Sequence, residues 1–266
     1  MKTMKNISKC LAAILLVVNL SSCVDLEPEP LSFFAPENTF MDKEGLEALL
    51  ITSRKQIKWE WFGDAFNAGY CETPLVYEYA WSDVSVMGAP EVKEIHNLET
   101  QLTPTTSMAL HLRYWDLAWN GIKYANTVIS RVPKSTIDNE TDKNELLAEG
   151  YFHRAYWYYL LVNQWGDVPL LLEEITEPKL DFYTVSRMKI LQQMKTDMEF
   201  AVKWLPKNVK PGCVNRAAGE HLLAKIYLST GDFQLAVDAT TRCINDYGLH
   251  LMKERFGVNA EDASLD

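Results

Sequence analysis

Apolar residues recur at steps of three and four along six stretches of this chain, the spacing of one face of an α-helix. The first runs over about 40–59, with Phe40, Leu46, Leu49, Leu50 and Ile57 on one side. Asn38 or Thr39 is its expected cap, and Asp42 and Glu44 suit the positive end of the helix dipole. The second, about 108–131, carries Leu112, Trp115, Trp119, Ile122, Ala125 or Asn126, and Ile129 on one side and stops at Pro133. A polar link, Lys134 to Lys143, leads to the third, about 145–165, which carries Leu147, Tyr151, Ala155, Tyr158, Leu161 and Trp165. Tyr151, Phe152, Tyr156, Trp157, Tyr158, Tyr159 and Trp165 ring most of that helix. A helix apolar nearly all round is enclosed by neighbours, so the third is predicted to be the centre of a helical domain. Gly166 and Asp167 break its period, and Val168-Pro169 forces an extended exit.

The fourth stretch, 181–205, presents Met188, Leu191, Met194, Met198 and Leu205 and ends at Pro206. The fifth, 216–229, and the sixth, 233–247, are hinged on Gly231-Asp232, and Gly248 sits where a left-handed cap residue belongs. Ala224 and Ala236 permit close crossing, and Tyr227 and Phe233 are predicted to pack around the turn. This is the logic of a tetratricopeptide-type helical hairpin. Helices 108–131 with 145–165, and 184–205 with 216–229, read as diverged pairs of the same kind. The predicted class is all-α: tetratricopeptide-like helical hairpins with long irregular loops.

Residues 60–106 break this pattern. Gly, Pro, Asn, Ser and Thr are scattered through them, yet they hold Tyr70, Tyr77, Tyr79 and Trp81 beside Asp83 and Asn97. Loops longer than about 15 residues are uncommon in compact domains and often functional. Flat rings with a polar edge suit ligands that have an apolar face, and polar neighbours suit hydroxyls. These six residues are therefore the candidate ligand platform.

The N-terminus reads as an address. Lys2, Lys5 and Lys9 precede an apolar run from Cys10 to Leu20 that is too short for a comfortable span of about 20 residues. Leu20-Ser21-Ser22-Cys23 resembles a bacterial lipobox, in which cleavage leaves Cys23 as an acylated N-terminus. Residues 1–22 are then a signal peptide. Residues 23–39 are the lipidated cysteine and a tether, opening on the acidic, proline-bearing VDLEPEP. Residues 40–266 are the helical domain.

Composition narrows the function. Nearly half of the residues are hydrophobic (47%), so a folded core is expected. Loss of residues 1–22 leaves 23 basic against 36 acidic residues, a charge of −13. That argues against broad contact with nucleic-acid phosphates. Cys71, Cys213 and Cys243 form no CxxC pair and read as buried thiols, with one disulfide among them left open. The five histidines show no HExxH or other metal spacing, and GxSxG, P-loop and nucleotide-binding fingerprints are absent. Glu173-Glu174 is a pair in sequence only, expected to be solvated, so glycoside hydrolysis has no paired carboxylates to rest on. Arg154, a charge among aromatics, is expected to pair with a carboxylate or stack on a ring. No cofactor is implied.

Four pieces in order carry a family resemblance: the lipobox at Cys23, YWDLAWNGIKYANTVISRV at 114–132, GYFHRAYWYYLLVNQWGDVPLL at 150–171 and NRAAGEHLLAKIYLSTGDFQLAVDATTRCI at 215–244. Together they resemble the SusD/RagB family of outer-membrane nutrient-binding lipoproteins, and the WGDVPL turn is the most specific piece. The resemblance implies a non-catalytic, lipid-anchored surface protein that captures glycans or peptides. It would pass them to a TonB-dependent, SusC-like outer-membrane transporter. It also implies a chain about twice this length, so these residues correspond to the N-terminal part, with the C-terminal half missing. The rival reading is a scaffold that docks the transporter without a ligand site of its own.

Overall fold

The computed structural model describes residues 40–62 and 109–249. Six α-helices lie among them: α1 Lys43–Phe62, α2 Ala109–Arg131, α3 Glu140–Gln164, α4 Arg187–Trp204, α5 Arg216–Thr230 and α6 Phe233–Asn245. A short antiparallel ribbon joins β1 Val168–Pro169 to β2 Thr184–Val185, in the register Val168 opposite Val185 and Pro169 opposite Thr184. Each helix from α2 onward packs on the next, and α1 lies against α2 and α3. The all-α class and the hairpin arrangement are those predicted.

Three helix starts differ from the periodicity, each for a local reason. α1 begins at Lys43 because Phe40 has φ 67°, a left-handed backbone that cannot open a helix. Its cap is Asp42, whose Oδ1 accepts from Gly45 N at 2.8 Å, and not Asn38 or Thr39. α3 begins five residues early because Asn139 Oδ1 accepts from Thr141 N at 2.8 Å, while Glu140 and Asp142 favour the dipole. α4 begins late because residues 184–185 pair with β1 and Asp167 Oδ1 takes the Arg187 N–H at 2.8 Å.

α3 is enclosed as its aromatic load requires. Trp157, Tyr158 and Leu161 are fully buried, and Phe152 is nearly so. The α2–α3 crossing is close because two glycines stand at it. A Cβ at Gly121 would meet Trp157 Nε1 at 1.9 Å, and one at Gly150 would meet Ile129 Cγ1 at 3.1 Å. On the other side, Tyr151 and Phe200 meet edge to face at 5.3 Å. Arg154 forms both interactions expected of it. Its guanidinium donates to both Asp197 oxygens, at 2.7 and 3.0 Å, and lies 5.1 Å from the Tyr151 ring centre.

The α5–α6 turn matches its prediction in backbone, Gly231 capping α5 with φ 82°, whereas α6 ends at Asn245 with Asp246 as its cap, so Gly248, left-handed at φ 67°, lies beyond the cap instead of forming it. Ala224, Ala236 and Ala239 are buried at the crossing. One side chain departs. Tyr227 is buried and donates its hydroxyl to Glu199 Oε1 at 3.0 Å, but Phe233 is 66% exposed. Phe233 opens its helix with its ring exposed, so it does not close the turn. Cys213 and Cys243 are half-buried free thiols, and Cys71 lies outside the described residues.

α1 is tied to α3 by a buried carboxylate. Arg54 Nε and Nη2 donate to Glu149 at 2.5 and 2.8 Å, and His153 Nε2 lies 3.4 Å from the same group. Burial alone raises the Glu149 carboxyl, but the His153 and Arg54 hydrogen bonds overcome this and hold it at about 2, against an ordinary value of 4.5. A depressed folded-state value means the contribution is complete above about pH 4.5 and lost as pH falls toward 2. Its size is roughly 3 kcal/mol. Urea titrations at pH 6 and pH 3 check this: the stability difference between them should shrink by most of that amount in Glu149→Gln. An unchanged difference would refute it.

Candidate functional site

After β1 the chain crosses α2 and α3 as a strap held by buried side chains. The Leu171 carbonyl accepts from Asn126 Nδ2 at 2.9 Å and from the Tyr158 hydroxyl at 3.3 Å, and Leu171 N donates back to that hydroxyl at 2.6 Å. Burial pushes the Tyr158 phenol well above its usual range, which keeps it protonated in both roles. Arg154 Nη1 reaches the Leu172 carbonyl at 2.8 Å and Asn126 Oδ1 at 3.1 Å. Glu174 N donates to Ser130 Oγ at 3.0 Å, and the Glu174 carboxylate accepts from Arg131 Nη2 at 2.7 Å and Nε at 2.9 Å. Glu174 is thus half-buried and paired, which corrects the expectation that Glu173-Glu174 is a solvated pair; only Glu173 is exposed.

The strap leaves a cavity of about 640 Å³ between itself and α2. One wall is Trp115, Trp119 and Ile122, successive positions on one side of α2, with the indoles half-buried and Ile122 buried. The other is Pro169, Leu171 and Ile175, with Phe182 at the lip. The indoles are braced from behind. Trp115 meets Trp119 at 5.4 Å and Trp165 at 5.2 Å, and Trp119 meets Tyr158 at 6.0 Å, all edge to face. Each is half-buried, with an open part toward the cleft. Lys123 and Glu173 stand exposed at the rim, and Trp119 Nε1 has no hydrogen-bond partner. Flat apolar walls with a few polar groups at the edge bind ligands that themselves have an apolar face and a polar rim.

Cys23, Tyr70, Tyr77, Tyr79, Trp81, Asp83 and Asn97 all lie outside the described residues. Trp115 and Trp119, read from periodicity as part of an apolar helix face, pack against the core and also line the cleft. A Trp pair one turn apart followed by Lys123 was the signal available in sequence. Among the described residues no cluster of His, Cys, Asp or Glu is arranged to hold a metal ion.

Residues 71–228 match a family model, SusD-like, described as "Starch-binding associating with outer membrane". The chain belongs to the SusD-like family. A SusD-like protein of Formosa agariphila is 27% identical over 238 residues, covering 88% of this chain and 45% of the relative. A SusD-like protein of Bacteroides ovatus is 28% identical over 155 residues, covering 51% of this chain and 28% of the relative. The chain thus spans less than half the length of these SusD-like relatives.

Solved SusD-like structures share the fold. A SusD superfamily protein from Bacteroides vulgatus superposes with a TM-score of 0.67 at 19% identity, covering 80% of this chain and 46% of that one. A laminarin-binding SusD-like protein gives 0.64 at 20% identity, over 79% and 46%. A structure solved with a xylogluco-oligosaccharide gives 0.61 at 20% identity, over 78% and 41%. No described helix is long and apolar enough to cross a membrane.

Proposed function

We propose that this SusD-like chain is a non-catalytic, cell-surface lipoprotein that captures oligosaccharides and delivers them to a TonB-dependent, SusC-like outer-membrane transporter. The observation that carries the glycan reading is the cleft over Trp115 and Trp119. Its indoles offer the flat faces that sugar rings stack on, and Lys123 and Glu173 offer hydroxyl partners at the rim. Family membership and the two glycan-related structural neighbours support the same ligand class over peptides. Tyr70, Tyr77, Tyr79, Trp81, Asp83 and Asn97 are the further ligand-binding residues of this reading, and Cys23 carries the lipid that holds the protein at the outer membrane.

Affinity electrophoresis against starch, laminarin and xyloglucan tests the proposal. One of these polysaccharides should retard the protein, and Trp119→Ala should weaken that retardation about tenfold or more while circular dichroism stays unchanged. Retention indifferent to Trp115→Ala and Trp119→Ala would remove the cleft from the site. Release of reducing sugar from the bound polysaccharide would defeat the non-catalytic reading. Copurification with a β-barrel transporter, without retardation by any glycan, would favour the docking scaffold.

A further inference from the structure

A second cavity, of about 420 Å³, lies between α1, α3 and α5 and shares no lining residue with the cleft. Its volume falls within the range of about 300–1,000 Å³ common to small-molecule sites. Phe152 and Tyr156 give it an aromatic wall, their rings 6.3 Å apart and tilted by 20°. His153 lines it and is fully buried. The imidazole Nε2 faces the ionised Glu149, so Nε2 carries the proton and donates to the carboxylate. Nδ1 has no hydrogen-bond partner. A buried ring nitrogen without a partner is a rare feature that a bound hydroxyl, which can donate or accept, would satisfy.

The charges around the cavity are unequal. Arg54 is bound by Glu149 through two hydrogen bonds, and the two cancel. The Tyr156 hydroxyl donates to Glu60 at 2.7 Å. Burial, helped by Lys225, lowers the His221 value, which keeps that ring neutral near pH 7. The exposed Lys225 on the α5 wall remains as a cation, and among the described residues no carboxylate lines the cavity to offset it.

We propose that this cavity binds a hydroxylated carboxylate of monosaccharide size, a uronic or sugar acid. Its carboxylate meets Lys225, one hydroxyl hydrogen-bonds to His153 Nδ1, and its C–H face lies on the Phe152–Tyr156 wall. The site is separate from the cleft and does not depend on it.

Galacturonate and glucose, titrated into the full chain by calorimetry, test this. Cys213 lines the cavity and gives a second readout, its alkylation rate, with the half-buried Cys243 as reference. Galacturonate should bind saturably and slow alkylation of Cys213 but not of Cys243, and glucose should do neither. Lys225→Ala, at an exposed position, should weaken galacturonate about tenfold without touching the fold. His153→Phe, where circular dichroism shows it folded, should abolish binding. Trp119→Ala should leave it unchanged, which separates this site from the glycan cleft. No saturable binding of galacturonate at about 10 mM, equal binding of glucose, or full affinity in Lys225→Ala would overturn the proposal.

Discussion

Arg154→Ala should cost the fold about 3–5 kcal/mol, read by urea or thermal unfolding. The guanidinium is 3% exposed and holds four groups: both Asp197 oxygens, Asn126 Oδ1 and the Leu172 carbonyl. Truncation leaves the Asp197 carboxylate, itself 3% exposed, with Gln193 as its remaining side-chain donor, at 3.0 Å. An ionised group in that setting is expensive, whereas a pair replaced on both sides by apolar groups is often neutral. Arg154→Met with Asp197→Leu should therefore recover most of the loss. The recovery discriminates: a double variant as unstable as Arg154→Ala would mean that the arginine acts mainly through the strap. The strap should suffer in either case, because the same side chain holds Leu172 and orients Asn126 under Leu171. Glycan retention should accordingly fall in Arg154→Ala protein that is still folded, although Arg154 lies outside the cleft's lining.

Gly121→Ala should cost about 3 kcal/mol, at the upper end for one added methyl in a packed core. Helix propensity alone would make this change stabilising by roughly 1 kcal/mol, since glycine is a poor helix former. Sterics reverse the sign. The new Cβ would lie 1.9 Å from Trp157 Nε1 and 2.3 Å from Cδ1, and Trp157 is fully buried among other rings with no room to withdraw. The close approach also explains why Trp157 Nε1 has no hydrogen-bond partner: it abuts the α2 backbone at Gly121. A double-mutant cycle checks the assignment. Trp157→Phe should be costly in the parent but much less so in Gly121→Ala, giving a coupling energy of about 1–3 kcal/mol. Additive effects would show that the clash is relieved elsewhere.

Both positions show where local reading stops. Arg154 was legible as a charge needing a partner, because a cation among rings has few other options. Asp197 as that partner was not legible: it lies 43 residues away on a helix whose apolar face gave no sign of it. Gly121 carries no signal of its role in the sequence, yet it is the contact that lets α2 and α3 cross. Trp115 and Trp119 were legible as helical and apolar. Their role in a cleft depends on residues 169–182, which follow no period. Phe233 shows the opposite limit, since nearness to a turn does not decide which side of the helix a ring takes.

What the sequence determined by itself was the order of the helices, the glycine turn at 231, the enclosed character of α3 and the family that WGDVPL announces. The first three follow from period, backbone conformation and composition, which are properties of neighbours along the chain, and the family follows from resemblance of motifs. The tertiary structure alone decided which helix each apolar face meets, how the strap is pinned across α2 and α3, and that two indoles stay partly open beneath it. The reason is physical: periodicity records that a face is to be covered, but the covering group is chosen by contacts between residues far apart in sequence.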